Sequence, residues 1–279
     1  MTAADAAGDP GFDALTAKIA RDRGFACGSY KPTCLKRRIA VRMRARGVHQ
    51  YADYARLLDG DREEYDKLID TLTINVTRLY RNPEAWDALE RQVWPVLFAR
   101  PERELRAWSA GCSSGEEPYT VAISALRAAE SARAPEAAKR VRITATDIDS
   151  RSLEAARAGT FGEAAFADAP SGMRERWFEP GWPARPRAEV RALVHVARRD
   201  LLEEAPPPGT WHLIVCRNVI IYFDRESQDA LFHRFRDALA PGGFLMLGKV
   251  ETLLGDSRTL FEPVDSRERI FRRPPARAA

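Results

Sequence analysis

The strongest constraint on this chain is a change of hydrophobic period near Arg103. From Phe12 to Thr73 apolar residues recur at helical spacing, with no convincing strand. Beyond Arg103, short strand-like runs alternate with helical ones. Leu105–Ser109 reads as a strand entering a Gly-containing turn, and Pro118–Ala129 as the helix that follows. Val141–Thr146 is a second strand ending at Asp147, then Ser150–Ala158 a helix. Val194–Ala197 and Trp211–Cys216 read as strands and Gln228–Leu239 as a helix; Pro241-Gly242-Gly243 then turns into the strand Phe244–Leu247. Such alternation implies a mostly parallel α/β sheet. Residues 160–193, with Gly, Pro and Trp, break the pattern and read as an inserted subdomain or long loop. The Ala-, Gly- and Asp-rich residues 1–10 read as flexible. The expected division is a helical domain over 10–75 and an α/β domain over 76–273.

Within the helical part, Pro32-Thr33 opens a helix with Thr33 as its expected N-cap, and Gly47 closes it. Leu35, Ile39 and Met43 form one apolar stripe. Arg37 and Arg44 fall opposite the stripe and Arg38 and Arg42 beside it, while Arg46 sits at the helix end, where it can reach water. Tyr51, Tyr54, Leu57 and Leu58 mark the next helix. The chain carries a net charge of only +4, yet Arg21–Arg56 holds ten Lys/Arg against two Asp. A basic module on a mildly acidic remainder suits a polyanionic or acidic partner.

Other classes are disfavoured. No stretch approaches the roughly 18 apolar residues of a membrane span, and MTAADAAGDPGFD lacks the pattern of a signal peptide. The expected location is the cytoplasm, without membrane insertion. The four cysteines form no CxxC pair and His is scarce, so no metal site is expected. Cys112 and Cys216 are assigned packing roles. No stacking aromatics interleave with the arginines, which argues against nucleic acid.

The turn Ala110-Gly-Cys-Ser-Ser-Gly-Glu-Glu-Pro-Tyr119 is the chemical centre of the sequence. A strand, a Gly-containing turn and a helix bring backbone N–H groups to a ligand at the carboxyl edge of a sheet. The dinucleotide pattern GxGxxG and the phosphate loop GxxxxGK[ST] are both absent. Glu116 and Glu117 would repel a pyrophosphate but not an ammonium-bearing sulfonium ligand, which favours S-adenosylmethionine. An acidic first helical turn that merely pairs with the helix dipole is the bland alternative. Asp147 stands where a carboxylate can accept both ribose hydroxyls, and Asp149 or Ser150 suits the helix cap better.

Taken in order, Asn75-Val-Thr-Arg-Leu-Tyr-Arg81, AWSAGCSSGEEPYTVAI, ATDID, VCRNVIIYF and LAPGGFLMLGKVE carry a resemblance to the chemotaxis receptor methyltransferases, the CheR family. It covers nearly the whole chain to Phe271. The resemblance implies a small all-helical domain followed by a class I, Rossmann-like S-adenosylmethionine methyltransferase domain with a small inserted β subdomain. It implies methylation of glutamate side chains on the cytoplasmic helices of bacterial chemoreceptors, with S-adenosylhomocysteine as product, by a monomer recruited to receptor arrays. Carried across by motif, Asn75, Thr77 and Arg81 touch the cofactor, Glu117 and Asp147 hold its amino acid and ribose, Asp200 and Leu201 border the adenine, and Arg217 and Asn218 complete the pocket. Arg37, Arg38, Arg42, Arg44 and Arg46 would face the acidic receptor helix.

The residue types suit that chemistry. A glutamate carboxylate is already ionised near neutral pH, so positioning rather than a general base is required. Arg81 can orient it and Tyr222, at the end of a strand segment Val215–Phe223, can donate one more hydrogen bond. Three departures stand out: Leu79-Tyr80 for paired aromatics, Asp200 for Asn, and Lys249-Val250 for His-Ser before Glu251. The short segment Glu179–Ala192 points to an enzyme independent of a receptor tether peptide. The alternatives are a class I methyltransferase acting on another substrate and an inactive cofactor-binding module.

Overall fold

A computed structural model describes residues 9–73 and 77–275. Contacts divide the chain into two units, residues 1–74 with 222–227, and residues 75–221 with 228–279.

The first unit holds α1 (Pro10–Arg23), α2 (Pro32–Ala45), α3 (Tyr51–Gly60) and α4 (Arg62–Leu72). Of the stretch read as flexible, residues 1–8 lie outside the described residues, while Asp9 caps α1 by accepting from the Gly11 and Phe12 N–H groups. The α2 cap is Lys31 rather than Thr33, because Pro32 takes the first helical position, where its fixed φ and missing N–H cost nothing. Leu35, Ile39 and Met43 are buried against the other helices. Fully burying one such side chain contributes roughly 1.5–3 kcal/mol.

The arginines of α2 do not act as one surface. Arg42 donates from Nε (3.0 Å) and Nη2 (2.6 Å) to both oxygens of the buried Glu64, whose Oε1 also accepts from Tyr54 Oη at 2.8 Å. Arg38 donates to the Thr71 carbonyl at 2.7 Å, and its guanidinium stands 5.7 Å from the Tyr222 ring centre. Arg46 pairs with Asp61 at 2.9 Å. Arg38, Arg42 and Arg46 thus also bind within this unit. Arg42 neutralises a carboxylate that could not otherwise be buried, and Arg38 and Arg46 tie the same helices together. Arg37, Arg44 and Arg46 remain exposed.

Residues 222–227 belong to this unit. The Tyr222 carbonyl accepts from Lys31 N (2.9 Å), Asp224 N donates to the Ser29 carbonyl (3.0 Å), and the Tyr30 and Phe223 rings meet edge to face at 5.1 Å.

The second unit is built on a seven-stranded sheet, β1 (Leu105–Ala110), β2 (Val141–Asp147), β3 (Val194–Arg198), β4 (Trp211–Cys216), β5 (Leu239–Leu247), β6 (Glu262–Asp265) and β7 (Ile270–Arg272), in the order β3-β2-β1-β4-β5-β7-β6. The first five are parallel, and β7 runs antiparallel to both neighbours. Strand order reverses between β1 and β4, the switch point where open α/β sheets bind ligands. β4 is buried at all six positions, as a central parallel strand must be. Pro241-Gly242-Gly243, expected as a turn, is an irregular part of β5. Pairing with β4 jumps from Trp211–Leu239 to Leu213–Phe244 there, since Pro has no N–H and Gly242 takes φ +73°.

The helices are α5 (Pro83–Ala88), α6 (Trp94–Phe98), α7 (Glu116–Ser131), α8 (Pro135–Lys139), α9 (Ser150–Ala158), α10 (Met173–Trp177), α11 (Ala188–Arg191) and α12 (Arg225–Ala238), whose first three residues fall in the other unit. A π-helical stretch, Leu89–Val93, joins α5 to α6; Pro95 just beyond it removes a donor and crowds the preceding turn. Residues 160–193 hold α10, α11 and two isolated antiparallel bridges, Phe161 with Ala184 and Phe178 with Pro186. Among the described residues, no helix is long and apolar enough to cross a membrane.

Candidate functional site

The loop from β1 to α7 is pinned to the end of β2. Gly111 N and Cys112 N both donate to the Thr146 carbonyl, at 2.8 and 2.9 Å. Gly111 takes φ +86°, and a Cβ there would lie 2.5 Å from Val219 Cγ2. Gly115, at φ +102°, passes the Ala156 backbone so closely that a Cβ would come within 3.0 Å of its Cα. Both glycines are thus required by conformation and by contact.

The two glutamates that open α7 have different surroundings. Glu116 accepts from the Ser114 hydroxyl at 2.7 Å, at the helix start. Glu117 lies beneath the loop, where its Oε1 accepts from Ser109 Oγ at 2.7 Å. Burial pushes the Glu117 carboxyl up to about 8, against the pull of Arg217, the Ser109 hydroxyl and Arg81. These guanidiniums act on Glu117 through space rather than by hydrogen bonds.

Asp147 ends β2. Its Oδ2 accepts from Ser113 N at 2.8 Å and its Oδ1 from Asp149 N at 3.0 Å. Burial raises its pKa and the backbone donors oppose the rise. Asp149 caps α9 through Arg151 N, leaving Asp147 outside that role. The Asp147 carbonyl accepts from Arg199 N at 2.9 Å, which brings the segment after β3 alongside. In that segment Asp200 Oδ1 accepts from Leu202 N (2.8 Å) and Glu203 N (3.3 Å), and Arg234 Nη1 donates to the Leu201 carbonyl at 3.0 Å. Asp200 is therefore part of a turn, and one of its oxygens is engaged there.

Arg217 and Asn218 follow β4. Arg217 is buried, stands 4.9 Å above the Trp86 ring, and donates from Nη2 to the Arg81 carbonyl (2.9 Å) and Asn82 Oδ1 (3.1 Å). Its Nε and Asn218 Oδ1 are buried with no hydrogen-bond partner among the described residues. Buried polar atoms are almost always satisfied, so these two orphans at the switch point have room for a ligand's polar groups. Cys112 and Cys216 are buried thiols raised by burial well above their usual pKa, so neither offers a thiolate.

The structure thus gathers Arg81, Glu117, Asp147, Arg217 and Asn218 around the loop at the switch point. Thr77 is half-buried before it, and Asn75 lies outside the described residues. Tyr222 is grouped with the helical unit. The strand expected to carry it stops at Cys216, and Ile220–Tyr222 is a 3-10 turn.

Glu251 was not expected to matter for the site. Its carboxylate accepts from five backbone N–H groups, those of Asn218, Val219, Ile220, Ile221 and Gly248, at 2.9, 2.9, 2.8, 3.4 and 2.6 Å. Four of those donors lie where the chain turns out of β4, and Gly248 follows β5. Trp86 and Asn82, which hold Arg217, were also missed; only the fold brings them to it.

The fit to S-adenosylmethionine can be judged on these atoms. A carboxyl raised by burial is one that an ammonium group would return to its ionised form, a carboxylate at the end of β2 suits ribose hydroxyls, and an orphan amide oxygen suits a further donor. The donor set fits.

Comparison with known proteins agrees. Residues 75–270 match the family described as CheR methyltransferase, SAM binding domain, and residues 10–73 match CheR methyltransferase, all-alpha domain. A chemotaxis protein methyltransferase of Listeria innocua is 35% identical over 241 residues, covering 86% of this chain and 89% of that one. Chemotaxis protein methyltransferase 1 of Pseudomonas aeruginosa is 30% identical over 249 residues, covering 87% and 90%. An uncharacterized 104.1 kDa protein of Rhodobacter capsulatus is 37% identical over 246 residues, but the chain spans only 25% of its length. On sequence and on a sheet ordered for ligand binding at β1 and β4, the chain belongs to the CheR family of S-adenosylmethionine-dependent chemotaxis methyltransferases.

Proposed function

We propose that this enzyme esterifies glutamate side chains on the cytoplasmic helices of a chemoreceptor. The observation that carries the reading is the charge arrangement around the loop, where a buried acid, Glu117, lies within electrostatic range of Arg81 and Arg217. The acid calls for a cation and the arginines for an anion, which are the charges of the donor's ammonium and of a carboxylate acceptor.

S-adenosylmethionine supplies, when bound, an electrophilic methyl carbon on a sulfonium. Glu117 takes the ammonium group, Asp147 the ribose hydroxyls, and Asp200 and Leu201 border the adenine. Asn75, Thr77, Arg217 and Asn218 complete the pocket. Arg81 orients the substrate carboxylate by charge-assisted hydrogen bonds, and the Tyr222 hydroxyl donates another. The acceptor is ionised near neutral pH, so its oxygen needs alignment and exclusion of water rather than a base. Arg37 and Arg44, exposed on α2, steer a glutamate-rich helix toward the enzyme. The working location is the cytoplasm, at receptor arrays.

The test is transfer of labelled methyl from S-adenosylmethionine to a purified receptor cytoplasmic fragment. Alkali-labile label on glutamate supports the reading. Alkali-stable label, or label on nucleic acid alone, overturns it.

A further inference from the structure

Glu251 stands apart from the residues assigned to cofactor or substrate, yet it organises them. Its Oε1 takes the N–H groups of Val219, Ile220 and Ile221, and its Oε2 those of Asn218 and Gly248. The approach is close: a Cβ at Gly248 would lie 2.7 Å from Oε2 and 2.8 Å from Asn218 N. Within that turn Asn218 takes φ +62°, a left-handed conformation that Asn adopts more readily than most residues. From the far side, Gln228 Nε2 closes it by donating to the Ile220 carbonyl at 3.0 Å.

This turn touches the glycine loop. Val219 fills the space left by the missing side chain of Gly111, and Asn218 presents the orphan oxygen beside Arg217. We infer that Glu251 is a positioning residue, whose carboxylate presses Val219 onto Gly111 and fixes Asn218 for cofactor binding. The inference rests on the reading of Gly111–Glu117 as the cofactor loop.

The chemistry asks for a carboxylate in particular. Five converging donors need an acceptor-only group, and an ionised acid offers two oxygens with several lone pairs. A glutamine keeps the length but turns an NH2 against either the Asn218 and Gly248 donors or the other three. An aspartate keeps the charge but is one methylene short.

The test is calorimetric titration of the full chain with S-adenosylhomocysteine, for wild type, Glu251→Gln, Glu251→Asp and Glu117→Gln, alongside thermal melts. A displaced binding group costs on the order of ten- to a hundredfold, so Kd for Glu251→Gln should weaken by about that much while the chain is still folded. Glu251→Asp should lie between it and wild type. A lowered Tm with unchanged Kd marks a purely structural role and overturns the inference. Should Glu251→Gln fail to fold, a wild-type Kd in Glu251→Asp overturns it equally. Glu117→Gln separates the two claims. If it binds like wild type, the reading of the loop is wrong; if it loses affinity while Glu251→Gln does not, only the present inference falls.

Discussion

In Glu117→Gln the buried carboxyl becomes a neutral amide of nearly the same shape, still able to accept the Ser109 hydroxyl. Burial raises the native carboxyl from its usual 4.5 to about 8. Between those values the folded chain holds a proton that the unfolded chain has released. Wild-type stability therefore falls as pH rises through that window. At about 1.4 kcal/mol per pH unit, the loss is roughly 3 kcal/mol at pH 7 and roughly 5 kcal/mol from pH 8 upward. The variant escapes it, so its gain should be near zero at pH 4 and grow to a plateau above pH 8. Urea unfolding followed by fluorescence of the six tryptophans, at pH 5, 7 and 8.5, reads this directly. The same variant loses the charge-assisted bond proposed between Glu117 and the cofactor's ammonium, worth roughly 1.5–3 kcal/mol or about ten- to a hundredfold in Kd. It should be a steadier protein and a poorer binder. A gain independent of pH, or lower stability at pH 8.5, would refute the electrostatic argument.

Five other substitutions probe separate parts of the molecule. Arg42→Ala leaves the buried Glu64 carboxylate with Tyr54 and only the more distant Arg46, 3.9 Å away, and should cost about 3 kcal/mol in chemical denaturation, whereas exposed Arg44→Ala should stay within about 0.5 kcal/mol. Gly111→Ala combines φ +86° with a contact 2.5 Å from Val219; it should cost about 1–3 kcal/mol and weaken S-adenosylhomocysteine binding in the same titration. Arg81→Ala and Tyr222→Phe should lower kcat for receptor methylation more than cofactor affinity, and wild-type turnover in both would remove their assigned roles.

What could be read from the sequence follows the range of the physics involved. The strand Trp211–Cys216 and the helix Ser150–Ala158 were placed to the residue, because periodicity and the Asp149 cap are local signals. The strands β6 and β7 were missed. They are short, β6 lies at the sheet edge, and Glu262–Asp265 carries no alternating pattern of burial. Helical spacing put Arg38 and Arg42 beside the apolar stripe, but it could not reveal that Glu64, 22 residues on, is buried and claims Arg42. Glu251 is the sharpest case. Its partners lie 30 to 33 residues earlier, apart from Gly248, and a lone acid after a strand carries no sign of five waiting N–H groups. The β1 loop, by contrast, was legible because its glycines and acids are consecutive in the chain.

The proposed product is a methyl ester of a glutamate side chain. The most direct measurement is methanol released by mild alkali from a receptor cytoplasmic fragment after incubation with this chain and S-adenosylmethionine, wild type against Glu117→Gln. The account predicts volatile methanol from the wild-type reaction, mapped to glutamate by peptide mass, and much less from the variant at limiting cofactor. Methylated fragment that yields no methanol, or equal yields from both enzymes at limiting cofactor, would contradict it.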